Sequence, residues 1–140
     1  MIAYFDTSAI VPLVVDEPGT EAAGTIGDRA DRLISTRLAR VEARAALARA
    51  ARIGRLTSRQ LLAAKPELDG LLDQLDLVDI DDELVRSAAE LAEVHALRAY
   101  DAVHLAAAAR LAADDVVVVA GDRALLTGAH AIGLAVATIA

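Results

Sequence analysis

Short apolar runs alternate along the chain with longer segments rich in Ala, Leu and Arg. The runs are IAYF (2–5), LIS (33–35), LVDI (77–80), VVVVA (116–120) and a weaker LAVATI (134–139). Strands that alternate with helices require crossover connections, which favour a mostly parallel sheet. VVVVA is apolar throughout and suits a central strand covered on both faces. The alternation therefore predicts an α/β fold.

Helical patterns fill the segments between these runs. Three helices are predicted, over about 36–53, after Asp81, which can cap a helix, and over about 100–113. In a further segment, 58–75, Pro66 interrupts the pattern, because proline lacks the N–H that a helix interior needs. We expect two helical pieces or a kink there.

The composition bounds the size and location of the protein. With 140 residues, 56% of them apolar, the chain is about one domain long and can bury one core. It has no cysteine, which excludes disulfides, thiolate metal sites and cysteine nucleophiles and fits a reducing cytosol. Its apolar runs are broken well short of the roughly 20 residues that a membrane span needs, and no leader pattern is present. We expect a soluble cytoplasmic protein with no membrane contact.

The net charge of −7 is unevenly distributed. Residues 29–59 hold nine arginines against two acids, a net charge of +7, so the remainder carries −14. Arg37, Arg40 and Arg44 recur at helical spacing and could form one stripe that guides phosphates or meets an acidic partner. The alternative is a solvated helix surface whose arginine stems cover apolar neighbours.

Four acids fall where an α/β fold could bring them together. Asp6 follows the first apolar run, Asp122 follows VVVVA by two residues, Asp101 opens a predicted helix, and Glu42 lies in the first two turns of another. In open parallel sheets, ligands bind beyond the carboxyl ends of the strands. The four side chains are therefore candidates for one site.

Each acid also has a purely structural interpretation. Asp6 could cap the helix after it, and Asp101 could complement the positive end of its own helix. Asp122 could lie in a Gly-Asp turn, and Glu42 could pair with an arginine on the same helix. Under these interpretations, the protein would be a non-catalytic α/β interaction module.

Converging carboxylates favour a divalent cation, because like charges at close range raise one another's pKa. Mg²⁺ and Mn²⁺ prefer carboxylate and water oxygens and can activate water for attack on a phosphodiester. An acidic cluster without His or Cys ligands points to phosphoryl chemistry more than to zinc hydrolysis. A phosphatase with an aspartyl nucleophile is disfavoured, since it would need a second aspartate where Ser8 stands.

The four acids lie in longer stretches with a recognisable pattern: MIAYFDTSAIVPLVVDEPGTEAA, TRLARVEARAAL, HALRAYDAVHLAAAARL and VVVVAGDRALLTGAHAIGL. In this order, the stretches resemble the PIN-domain ribonucleases, and among them the VapC toxins of type II toxin-antitoxin systems. The resemblance implies a three-layer α/β/α sandwich with a mostly parallel sheet of about five strands, one PIN domain over 1–140. It also implies Mg²⁺- or Mn²⁺-dependent endoribonuclease activity on RNA, homodimers, and a VapB-type antitoxin as partner.

The same resemblance assigns roles to individual residues. The catalytic acids of the family fall on Asp6, Glu42, Asp101 and Asp122. Asp6 and Asp101 match the usual metal ligands. Glu42 and Asp122 would complete the pocket through water or a second ion.

Three residues near these acids bear on how the expected site is held together. Ser8 matches a hydroxyl position that would hold the first aspartate in place. Ala120 stands where many relatives carry threonine, so that hydroxyl is absent beside Asp122. His104 lies three residues after Asp101, and we expect it to have a packing or hydrogen-bonding role rather than to act as a general base.

Overall fold

A parallel sheet organises the computed structural model, which describes residues 1–111 and 115–140. Within these residues, the sheet has five strands in the order β3-β2-β1-β4-β5, and every neighbouring pair is parallel. The strands are β1 (Ile2–Phe5), β2 (Arg32–Thr36), β3 (Asp76–Val78), β4 (Val116–Ala120) and β5 (Ala135–Thr138). All five coincide with the predicted apolar runs to within two residues at either end.

Helices connect the strands on both faces of the sheet. In the described ranges they are α1 (Thr7–Ile10), α2 (Thr20–Arg29), α3 (Leu38–Arg52), α4 (Ser58–Gln74), α5 (Asp82–His95), α6 (Ala99–Arg110) and α7 (Arg123–Ala131), and a 3-10 turn (Val11–Leu13) follows α1. The predicted capping by Asp81 is confirmed, because its carboxylate accepts the Leu84 N–H at 2.8 Å. Residues 112–113 of the predicted helix over 100–113 lie outside the described residues.

Two apolar layers separate the sheet from its helices. Ala3 and Phe5 of β1 pack with α1 to α4, whereas Tyr4 packs with α5 to α7 on the opposite face. In β4, Val118 and Val119 likewise contribute to different layers, and both are fully buried. The α/β/α sandwich and the two-sided burial of VVVVA are therefore confirmed.

The prediction of two helical pieces around Pro66 is wrong, because α4 runs unbroken from Ser58 to Gln74. Because Pro66 has no N–H, the carbonyl of Leu62 receives no helical hydrogen bond from it. Both Pro66 and Leu62 are exposed. Water can bond to that carbonyl, while Leu68 and the other buried residues of α4 keep the helix on the sheet. Packing on the inner face thus outweighs a missing bond on the outer one.

Among the helices of the described residues, none combines the length and the apolar character that crossing a bilayer requires.

Candidate active site

The order of the strands creates a crevice at the carboxyl end of the sheet. From the central β1, the chain moves outward through β2 and β3 and then returns to β4 on the other side of β1. This reversal is the place where doubly wound sheets bind ligands. Asp6 directly follows β1, and Asp122 lies two residues beyond β4, so both flank the reversal.

Asp6 is held in the crevice by neighbouring polar groups. It occupies the N-cap position of α1, but its carboxylate makes no capping hydrogen bond, contrary to the structural interpretation. Instead, the Ser8 hydroxyl donates to Asp6 Oδ1 at 2.6 Å and accepts the Gly121 N–H at 2.8 Å. Ser8 thereby connects the first aspartate to the loop after β4, in agreement with its expected holding role.

Burial makes the charge of Asp6 unfavourable. The residue is only 4% exposed, and desolvation raises the pKa of its carboxyl to about 6. His104 and the Ser8 hydroxyl act in the opposite direction, while the negative charge of Asp122 raises the pKa further. An added cation in this crevice would stabilise the ionised carboxylate.

Asp101 and Asp122 share a single guanidinium group. Arg98 Nε lies 3.1 Å from Asp101 Oδ2, and Arg98 Nη2 lies 2.8 Å from Asp122 Oδ2. Burial, followed by the nearby charge of Asp122, raises the pKa of Asp101, and Arg98 opposes both effects. Arg98 thus supplies positive charge where the carboxylates converge.

Asp122 has a structural role that was not predicted, as the N-cap residue of the helix that follows it. Its Oδ1 accepts the Leu125 N–H at 3.1 Å and so caps α7. Ala120, at the position where the resemblance led us to expect a threonine hydroxyl, is fully buried in the apolar layer. Without that hydroxyl, the capping bond and Arg98 orient the carboxylate of Asp122.

Glu42 enters the same region from α3, on the other side of the sheet. Its Oε1 accepts a hydrogen bond from Thr7 Oγ1 at 2.9 Å and lies 2.6 Å from His104 Nε2. The proposed pairing of Glu42 with an arginine on its own helix is therefore wrong, since its partners come from α1 and α6. His104 is 1% exposed, and its expected hydrogen-bonding role is confirmed.

The stripe formed by Arg37, Arg40 and Arg44 already has acidic partners. Arg40 lies 2.8 Å from Asp69, which also contacts Arg44 at 3.3 Å, and both carboxylate oxygens belong to α4. Arg37 pairs with Asp79 beyond β3. All three arginine side chains remain 41–65% exposed, so a phosphate could reach them by exchange of partners. Acids outside residues 29–59 thus offset part of the segment's +7 charge.

The carboxylate oxygens in the crevice are ligands that suit a hard divalent cation, although their present positions do not form a complete metal-binding site. Asp6, Asp101 and Asp122 offer only oxygen ligands, and burial with mutual repulsion raises the pKa of the first two. As they stand, no three His, Cys, Asp or Glu side chains of residues 1–111 and 115–140 are grouped closely enough to hold a metal ion. Arg98 is the cation that Asp101 and Asp122 contact.

Sequence reasoning missed Arg98, Thr7 and Tyr4. The spacing of Arg98, three residues before Asp101 on the same helical turn, was a usable signal for an ion pair. Thr7 adjoins Asp6, but nothing in the sequence connects it with Glu42. Tyr4 has the character of an apolar strand residue in the sequence, although its hydroxyl contacts His104.

Residues 3–128 match the family model of the PIN domain. The chain therefore belongs to the PIN-domain family. Within that family, it is similar to Ribonuclease VapC45 of Mycobacterium tuberculosis, with 42% identity over 97% of this chain and 94% of that protein. PIN-domain ribonucleases generally depend on divalent metal ions.

Solved structures share the same fold. The crystal structure of Mycobacterium tuberculosis VapC20, a sarcin-ricin loop cleaving toxin, superimposes with a TM-score of 0.69 at 18% identity, covering 94% of this chain and 95% of that one. A toxin-antitoxin complex from Klebsiella pneumoniae contains a chain with a TM-score of 0.69 at 14% identity, covering 99% and 98%. At these identities, the likeness concerns the fold alone.

Proposed function

We propose that this protein is the toxin of a type II toxin-antitoxin pair and cleaves RNA as a metal-dependent endoribonuclease. The observation that carries the proposal is the group of carboxylates at the strand-order reversal, where burial and mutual repulsion raise the pKa values of Asp6 and Asp101. The 42% identity to a VapC ribonuclease supports the same reaction class.

Asp6 and Asp101 are the residues that we propose as ligands of Mg²⁺ or Mn²⁺. Both residues are buried, and the Asp101 carboxylate has Arg98 as its side-chain partner. The bound ion would activate water and offset the charge that develops on the scissile phosphate. Ser8 fixes Asp6 relative to Gly121, so this carboxylate is oriented before the ion arrives.

Glu42 and Asp122 complete the proposed catalytic set from opposite sides. Each is held by protein donors, Glu42 by Thr7 and His104, and Asp122 by the Leu125 amide and Arg98. Held carboxylates can accept a proton or a hydrogen bond from water without first reorganising. We assign them the orientation of water near the scissile phosphate.

The partners are RNA and a VapB-type antitoxin. Arg37, Arg40 and Arg44 are our candidates for contact with RNA phosphates or with an acidic segment of the antitoxin, after exchange of their present acidic partners. The toxin-antitoxin complex of Klebsiella pneumoniae with the same fold supports an antitoxin partner. We further propose a homodimer.

The decisive experiment compares RNA cleavage by chelator-treated protein with and without added Mg²⁺ or Mn²⁺. We expect cleavage only with the ion, and loss of cleavage in Asp101→Asn with the fold retained, as judged by circular dichroism. Asp28→Asn is the matched control, because Asp28 lies on α2, outside the elements that form the crevice. Full activity of Asp101→Asn, or absence of any ion-dependent cleavage, would overturn the proposal in favour of a non-catalytic interaction module.

A further inference from the structure

A chain of buried polar groups extends from the sheet to Glu42. Tyr4 is fully buried in β1, and its hydroxyl lies 2.8 Å from His104 Nδ1. The other ring nitrogen of His104, Nε2, lies 2.6 Å from Glu42 Oε1. The Tyr4 and His104 rings meet edge to face, with centroids 5.8 Å apart. Three elements, β1, α6 and α3, are thereby connected at the carboxyl end of the sheet.

The chemistry of the end groups determines the direction of these hydrogen bonds. An ionised carboxylate only accepts, so His104 Nε2 carries a proton and donates it to Glu42. In a neutral imidazole, Nδ1 then accepts, which requires Tyr4 to donate. The hydroxyls of Ser35 and Thr36 are buried near the Tyr4 phenol, and neither has a hydrogen-bond partner of good geometry among the described residues. The Glu42 carboxylate therefore selects the Nε2–H tautomer of a neutral His104, and the Tyr4 hydroxyl stabilises that tautomer by donating to Nδ1.

The two oxygens of Glu42 differ as a result. Oε1 receives both the Thr7 hydroxyl and His104 Nε2, whereas no donor from residues 1–111 or 115–140 reaches Oε2. A carboxylate anchored through one oxygen keeps its rotamer and presents the second oxygen. Nothing in the apolar packing alone requires a tyrosine hydroxyl or an imidazole at these fully buried positions.

We infer that Tyr4 and His104 are positioning residues that hold Glu42 in its working orientation by fixing the Nε2–H tautomer of His104. The inference rests on the proposed ribonuclease function, because it assigns the purpose of the hydrogen-bonded chain to that site. Neither residue touches the reacting groups. Their effect passes through the carboxylate of Glu42.

The first test is spectroscopic and needs neither RNA nor metal. Long-range 1H–15N correlation spectra of labelled protein report the tautomer of each of the three histidines, and loss of one signal set in His104→Gln assigns His104. We expect His104 as the Nε2–H tautomer, and we expect Tyr4→Phe and Glu42→Gln each to change its nitrogen shifts. An Nδ1–H tautomer would overturn the inference. So would nitrogen chemical shifts of His104 that change in neither Tyr4→Phe nor Glu42→Gln.

The second test is kinetic and uses the ion-loaded protein. Tyr4→Phe keeps the ring and removes only the hydroxyl, so we expect kcat to fall by about tenfold, while KM for RNA and the Mn²⁺ affinity stay within about twofold of the unsubstituted protein. Tyr100→Phe is the matched control, because Tyr100 is 59% exposed, and we expect no change in any of these quantities. An unchanged kcat in Tyr4→Phe, or an equal change in KM, would contradict a positioning role.

The two measurements also separate this inference from the proposed function. If the unsubstituted protein cleaves no RNA with any divalent ion, the proposed function fails, and the inference fails with it even when the tautomer is as expected. If the protein cleaves RNA and the tautomer or the kcat result is not as expected, only the positioning role fails. Thermal melting of Tyr4→Phe confirms that the fold is retained.

Discussion

At the scale of single residues, the crevice holds carboxylates whose charge is costly. Asp6 and Asp101 are 4% and 5% exposed, and the pKa of each is raised by burial and by the nearby charge of Asp122. Arg98 relieves part of that repulsion, because its guanidinium group contacts both Asp101 and Asp122. The side chain of Arg98 is 77% exposed, so it can leave the crevice without disturbing the core.

Replacing Arg98 with glutamine is expected to tighten Mn²⁺ binding by about fivefold. The guanidinium group and the ion compete for the same carboxylate oxygens, and removing one cation favours the other. Isothermal titration of the metal-free protein with Mn²⁺ measures the change. Arg86→Gln serves as the control, since Arg86 pairs with Asp82 in an exposed contact on α5. Weaker or unchanged binding in Arg98→Gln would mean that Arg98 does not compete with the ion.

At the scale of elements, α3 and α4 pack side by side and carry opposite charges across their contact. Arg40 and Arg44 on α3 meet Asp69 on α4, and Arg40 also lies 3.1 Å from Asp73. These pairs are partly exposed, so their contribution to stability is small. Their larger effect is on the availability of the arginines to other anions.

Asp69→Asn is expected to lower KM for RNA by about twofold or more at low salt, because it releases Arg40 and Arg44 for phosphate contacts. Steady-state cleavage at two ionic strengths measures the effect, which should shrink as salt increases. Asp76→Asn gives the same change in net charge but releases Arg32, outside the stripe. If the two variants lower KM equally, the stripe has no special role in binding RNA.

Pro66→Ala is expected to stabilise the protein by about 1–3 kcal/mol, since alanine restores the N–H that α4 lacks and favours the helix interior. Pro66 is exposed, so the substitution removes no core packing. Urea unfolding monitored by circular dichroism measures the change, with Glu67→Ala at the next exposed position as control. A loss of stability would show that the proline ring packs favourably in place.

At the scale of the whole molecule, the parallel sheet brings the ends of β1 and β4 to one edge, and helices from both layers reach that edge. Asp6 follows β1 and Asp122 follows β4, while Glu42 comes from α3 in one layer and Asp101 from α6 in the other. The negative charge gathered there opposes the stability of the metal-free fold at neutral pH.

Asp6 should make the stability of the metal-free protein depend on pH in a defined direction. Its pKa is about 6 in the folded protein, above the ordinary aspartate value of 3.8, so the folded state binds the proton more tightly than the unfolded chain. The stabilisation is fully present below pH 3.8 and is lost as the pH rises through 6. Urea unfolding should therefore show Asp6→Asn gaining roughly 3 kcal/mol relative to the unsubstituted protein between about pH 4 and 7. A pH-independent difference would contradict the raised pKa.

Local patterns in the sequence were enough to predict the strands, the helices α3, α5 and α6, and the acids of the candidate site. The apolar runs have the length and composition of strands, and Asp81 has the spacing of a cap, because both depend on neighbours a few residues away. The resemblance around Asp6 and Asp101 added the family, which the match over residues 3–128 bears out.

Only the tertiary structure decided how those acids are held. The hydrogen bond between Tyr4 and His104 joins residues 100 positions apart, and the one between Glu42 and His104 spans 62 positions. The carboxylates that neutralise the α3 arginines lie on α4, and the packing that keeps α4 intact at Pro66 lies on the sheet. Such contacts depend on how the elements are arranged around the sheet, so they cannot be predicted from the spacing of residues along the chain.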